Sequence, residues 1–289
     1  MTQRNACSIF RFPTCFLTGL LLFVAALTGC GGLSMEGPDT AMPAMETKAD
    51  TVAMKVFEAY GGPGAWADLR YLRFDFATGS NAPAEADSTV EQPTRSVHGR
   101  HLWDRMTGDY RVEMPGGGDT VYVALFNTHA PEEGSVWLFG ERVGDEEESG
   151  MLESAYRRFI NDTYWLLMPV KLFDEGVHRS YLPDSSTGDL DVLHLSFGEV
   201  GLTPGDQYWV YTDKETGRVR HWAYHLQHHP PDHVPQPISW SDHKAFDTPS
   251  GALVVSERKP SDGFVLYTDR VDMPMEAPEG AFTDPQPML

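Results

Sequence analysis

The sequence predicts an α+β protein of mainly antiparallel β-structure, a curved sheet of ten or eleven strands with helices on one face. Three observations carry this. Short stretches alternate apolar and polar residues, turn residues separate them, and only two stretches carry the helical period. "YLRFDFA" sets Leu72, Phe74 and Phe76 on one face and Tyr71, Arg73 and Asp75 on the other. "SVHGRHLWDR" and "DYRVEM" flank Thr107-Gly108, a hairpin signal. "TVYVALF" and "SVWLF" are apolar on both faces, so both need cover. Leu193, Leu195 and Phe197 alternate with His194 and Ser196. "DQYWVYTD" and "GRVRHWAYHL" are joined through Lys214-Glu215-Thr216, with Gly217 where positive φ is needed. "PISWSDHKAF", "GALVVSERK" and "FVLYTDRVDM" complete the set.

The first helical stretch runs from Lys48 to Tyr60, with Val52, Val56 and Ala59 on one face, and Gly61-Gly62-Pro63 is expected to stop it. The second lies between Asp145 and Glu175. Acidic residues Asp145 to Glu148 precede Met151, Leu152, Ala155, Tyr156, Phe159 and Ile160, which recur at intervals of three and four. "YWLLMP" follows, with Pro169 as a break. Several late strands carry large aromatics on both faces. The second face then requires helices, or helices and a cavity for an apolar ligand.

The first 29 residues have the layout of a secretory signal peptide. Arg4 and Arg11 open it without an acid, an apolar segment runs from Phe16 to Leu27, and small residues precede Cys30. That segment is shorter than the roughly 20 residues of a spanning helix. "LTGC" at 27–30 resembles the lipobox of bacterial lipoprotein precursors, which are cut before the cysteine and acylated on it. The resemblance implies that Cys30 is the lipid attachment residue and that the chain is exported and anchored to the cell envelope. Gly31 lacks the aspartate linked to inner-membrane retention, which favours the outer membrane. Residues 30–47, rich in Gly, Pro and Met, read as anchor and tether, and 48–283 as a single domain. Cys7 and Cys15 leave with the leader, so the mature chain forms no disulfide. The net charge of −20 becomes −22 without residues 1–29, a field that repels nucleic acid.

No local signature of catalysis is present. The chain lacks a phosphate-binding G-x-x-x-x-G-K-S/T, a dinucleotide glycine pattern, H-E-x-x-H and paired C-x-x-C. "HLSFG" at 194–198 lacks the first glycine of a nucleophile elbow, so Ser196 reads as a strand residue. "PGGGDT" joins two strands and opens no helix, so it reads as a turn. No cofactor is expected. His225, His228, His229 and His233 fall in "HLQHHPPDHVPQP", residue types that bind zinc or copper. A Pro-rich loop does not fix four ligands in a tetrahedron, and a solvated loop is the competing reading.

Three segments, "AYGGPGAWADLRYLRFDF", "NDTYWLLMPVKLFDEGV" and "VYTDKETGRVRHWAY", resemble a family of exported bacterial proteins. That family looks like part of the wider class related to the outer-membrane lipoprotein-sorting factors (LolA/LolB-like). The resemblance spans residues 48–275. It implies an incomplete antiparallel β-barrel of about eleven strands, with helices packed on its concave face around an apolar cavity. In that class the cavity takes acyl chains or other lipids, and no catalytic residue carries over.

The expectation is therefore a non-enzymatic envelope lipoprotein that binds a lipid or other apolar ligand in the curved sheet. Trp165, Leu166, Leu167 and Met168 are expected near its mouth or lid, or as simple packing of the insertion. The alternatives are a sensor or protein-interaction module with a closed core and an envelope protein partner, and a metal-dependent hydrolase built on the histidine loop.

Overall fold

In the computed structural model, residues 45–80, 95–198 and 202–289 are described. Residues 1–29, Cys30 and the tether up to residue 44 lie outside them. Helix α1 (Lys48–Ala59) opens with a capping box. The Thr47 hydroxyl accepts from the Asp50 N–H at 3.1 Å, and the Asp50 carboxylate accepts from the Thr47 N–H at 3.0 Å. Val52, Ala53, Val56 and Phe57 are its buried face. The expected stop lasts one residue. Gly61 turns the chain, and Pro63 then sits in the first turn of a short second helix, α2 (Gly62–Asp68), because a proline there loses no helical hydrogen bond.

The strands are β1 (Tyr71–Ser80), β2 (Ser96–Asp104), β3 (Asp109–Gly117), β4 (Thr120–Asn127), β5 (Ala130–Leu138) and β6 (Glu141–Arg142). Helix α3 (Asp145–Leu167) follows, continued by a 3-10 turn at Met168–Val170. Then come β7 (Val177–Tyr181), β8 (Leu190–Phe197), β9 (Gln207–Asp213), β10 (Val219–His225), β11 (Ile238–Ser239), β12 (Ser241–Thr248), β13 (Gly251–Pro260) and β14 (Phe264–Asp272). All pairings are antiparallel. One sheet has the order β12-β13-β14-β1-β2-β3-β4-β5-β6 and the other β11-β10-β9-β8-β7.

The fourteen strands among the described residues exceed the expected eleven for local reasons. β6 and β11 are two-residue pairings, and β7 reads "VHRSY", too polar for an apolar alternation. "PISWSDHKAF" is one stretch in sequence but two strands in space. At Trp240 it leaves β10, to whose Arg220 carbonyl it donates at 3.0 Å, and passes to β13. The two sheets therefore share this one stretch of chain, and together they form an incomplete curved barrel. Its two free ends are β6 and β7, and α3 is the segment that joins them. Expected turns are present: Thr107-Gly108 joins β2 to β3, and Gly217 has φ 73° beside the β9–β10 hairpin.

All described residues belong to one compact unit with its own core. That core has two clusters. In one, α1, α2 and the end of α3 pack against β1, β8, β9, β10 and β13. In the other, Leu152 and Ala155 of α3 close on Tyr110, Val112, Phe126 and Val136. The opposite face of β3 is covered by the C-terminal segment. Arg111 donates to Glu113 at 2.9 Å, to the carbonyls of Ala281 and Asp284 at 3.2 and 2.8 Å, and to that of Gln286. Glu113 in turn accepts the N–H groups of Met288 and Leu289 at 2.6 and 3.1 Å.

Candidate functional site

Helix α3 builds the site. Its first turn is acidic, where charge complements the helix N-terminus. Glu148 turns inward, accepting from the Val136 N–H at 3.0 Å and from Arg142 at 2.7 and 2.8 Å. The Arg142 guanidinium holds its carboxyl below the usual range. This pins the N-terminal half of α3 against β5. The C-terminal half instead borders a cavity of about 620 Å³.

The apolar part of the cavity wall is largely aromatic. Phe76 and Trp103 come from β1 and β2, Phe159, Tyr164 and Trp165 from α3, and Val177, Phe197 and Tyr208 from β7, β8 and β9. Trp165 stacks on Trp222 with centroids 4.4 Å apart, and Tyr208 meets Trp222 edge-on at 4.8 Å. Burial pushes the Tyr208 hydroxyl up, so it stays protonated as a donor to Asp206 at 3.3 Å. Charged groups from α3 and the segment after it edge the cavity: Arg157, Arg158, Lys171, Asp174 and Glu175. Leu202, Leu226 and His228 approach from two loops.

One buried polar array lies beside the apolar wall. Asp162, which lines the cavity, has Oδ2 3.2 Å from Nε2 of His101, though off the line of a good hydrogen bond. His101 Nδ1 is 2.8 Å from the Tyr110 hydroxyl, and its ring stacks on Phe74 at 4.5 Å. Gly99 makes room for that ring, because a Cβ there would come within 2.6 Å of Nε2.

The sequence-predicted residues separate. Trp165 is in the cavity wall. Leu166, Leu167 and Met168 are fully buried in the core and fix the end of α3. The helix runs four residues further than expected, because "YWLL" continues the turn until Pro169 enters the 3-10 segment. The four histidines divide. His228 edges the cavity, whereas His225, His229 and His233 face an outer groove of about 800 Å³ with Trp209 and Tyr211. The His229 and His233 rings are 4.0 Å apart, and His229 Nδ1 accepts the Leu226 N–H at 3.1 Å. Burial and then the neighbouring imidazoles hold the His229 pKa below its ordinary value. Among the described residues, no group of three or more His, Cys, Asp or Glu side chains is arranged to hold a metal ion. The same residues include no helix long and apolar enough to cross a membrane.

The residues missed in sequence were Arg158, Asp162 and Asp206. The signal for the first two was spacing. Arg158 stands three residues after Ala155 and four before Asp162, on the apolar stripe of α3 where a charge is out of place.

The fold is similar to those of several solved structures. It is similar to an outer membrane lipoprotein-sorting domain from Vibrio parahaemolyticus, with 10% identity, a TM-score of 0.41, and coverage of 80% of this chain and 94% of that one. It is similar to a LolA superfamily protein from Nitrosomonas europaea, with 12% identity, a TM-score of 0.42, and coverage of 83% and 99%. A DUF1329-family protein from Desulfovibrio piger matches with 10% identity, a TM-score of 0.40, and coverage of 80% and 94%. No family model and no curated protein matches the sequence.

Proposed function

We propose that this chain is a lipoprotein of the bacterial envelope, anchored through Cys30, that holds a lipid or other apolar ligand beside α3 and performs no bond chemistry. The observation that carries the reading is the cavity of about 620 Å³, whose apolar part is largely aromatic. Its size is within the roughly 300–1,000 Å³ of small-molecule sites. An acyl chain would gain about 25 cal/mol for each Å² of apolar surface it buries there. Trp165 would serve as wall, and Leu166 to Met168 as its footing. Anchoring at the outer membrane would keep the site where lipids are exchanged.

The test is native mass spectrometry of Gly37–Leu289 produced in an envelope compartment. An added mass that organic solvent releases as lipid is expected. A bare polypeptide mass, unchanged after incubation with envelope lipids, would defeat the reading. A second reading, a protein-interaction module, is favoured by the outer groove, where Trp209 and Tyr211 stand beside three histidines. A cross-linked envelope partner lost on Trp209→Ala would promote it.

A further inference from the structure

We infer that the ligand of this cavity is an amphiphile with an anionic head, a long-chain carboxylate being the simplest case, and that Arg158 receives the head. This rests on the cavity reading above. The argument starts from the charges at the cavity and asks which are already matched. Arg157 points outward to Glu153 at 2.8 Å, and Lys171 is bound to Asp174. Asp162 faces His101 and accepts from Asn161 at 2.8 Å. Asp206 accepts the Gln227 N–H at 2.8 Å and the Tyr208 hydroxyl.

Arg158 differs. It lines the cavity, it is half-buried, and its Nε is enclosed without a protein hydrogen-bond partner. Among the described residues no carboxylate lies within ion-pairing distance of it, although the chain carries 42 acidic residues against 22 Lys and Arg. Glu175, the remaining acid at the rim, is exposed.

The enclosed Nε is out of a ligand's reach, but the two terminal nitrogens of Arg158 are neither enclosed nor bonded to any described residue. An uncharged chain in the cavity would leave them unmatched, and a carboxylate would pair with them. The planar guanidinium presents two parallel donors to such a group, and the bond is charge-assisted on both sides. The apolar walls then take the chain. Phe159 is the next residue on the helix, and Trp165 is two turns further along. Head and chain subsites thus lie along one rigid helix.

The experiment measures binding of dodecanoate and of dodecanol to Gly37–Leu289 after solvent extraction, by calorimetry and by tryptophan fluorescence. A charge-assisted hydrogen bond is worth about 1.5–3 kcal/mol, so dodecanoate should bind at least about tenfold more tightly. Arg158→Gln should bring dodecanoate down to the level of dodecanol and leave dodecanol unchanged, and Arg158→Lys should keep part of the preference. Circular dichroism of each variant checks the fold. Equal binding of the two probes by the natural sequence, or a preference surviving in Arg158→Gln, would overturn the inference while leaving the cavity reading intact. Binding of neither probe would overturn both.

Discussion

Two arginines in this domain meet burial in opposite ways. Arg111, on the outward face of β3, is completely enclosed, and its guanidinium is spent on Glu113 and three carbonyls of the C-terminal segment. Arg158, on the inward side of α3, is half-buried and has neither a counter-ion nor a protein partner for Nε. The first arrangement closes a surface. The second leaves a donor at the edge of a cavity. A buried cation is structural where the chain itself completes its bonds, and a candidate for recognition where the chain does not.

The largest effect is expected at the closed end of this comparison. Arg111→Met would leave the Glu113 carboxylate enclosed without its counter-ion. That should cost about 3–5 kcal/mol, read from urea denaturation. Ligand binding by the folded fraction should not change, since the residue is on the far face of the sheet. Arg111→Met with Glu113→Leu should recover much of the loss, because the uncompensated charge is then gone. A loss below about 1 kcal/mol in the single variant would show that the clamp does not hold the segment.

Lys259 stands between the two cases. It is fully buried, donates to the Ser256 carbonyl and the Thr268 hydroxyl at 2.6 Å each, and lies over the Trp240 ring. Its partners are neutral, and burial pulls its pKa down to about 7, with Glu257 and Asp269 acting the other way. The unfolded chain, whose lysine titrates near 10.5, binds more protons than the folded one between these values. Stability should therefore rise with pH across about 7 to 10, at about 1.4 kcal/mol per unit of depression. Lys259→Met should flatten that slope. It should also raise stability by about 1–4 kcal/mol near neutrality, because Thr268 already donates to the Ser256 carbonyl at 2.9 Å without the lysine. Denaturation of both proteins at pH about 6 and about 9 checks the sign.

Trp165→Ala should cost about 1–3 kcal/mol, less than a fully buried aromatic, because the side chain has one face on Trp222 and the other toward the cavity. Its effect on uptake should be larger than its effect on folding, and equal for charged and uncharged ligands. Loss of folding with no change in affinity for the folded fraction would make it plain core.

How legible each feature was follows from the range of the forces behind it. β1, β9 and the β9–β10 hairpin were readable because alternation and a positive-φ glycine are local. α3 was readable from its acids and its three-and-four spacing. β7 was not, because its strand state is imposed by pairing with β8 and not by its own residues. The turn of chain at Trp240 was hidden for the same reason. The cavity was only half visible. Strands apolar on both faces said that something covers them, but a void depends on how far apart α3 and the sheets are held, and no short stretch encodes that distance. The Arg111 clamp joins residues some 170 positions apart, beyond any local pattern.

The smallest expected effect sharpens the comparison most. Arg158→Gln removes a charge that makes no ion pair, so stability of the ligand-free domain should change by no more than about 0.5 kcal/mol. A donor with no partner has no bond to lose, and a shorter amide is easier to leave in the wall. The contrast with Arg111→Met is then several kcal/mol for the same residue type. Ligand should reveal the difference in reverse. A carboxylate amphiphile at 100 times its dissociation constant stabilises the natural domain by about 2.7 kcal/mol. The same concentration should add markedly less to Arg158→Gln, while Arg111→Met should keep the full increment. A large loss of stability in ligand-free Arg158→Gln would mean that the guanidinium serves the fold, and would remove the distinction between the two arginines.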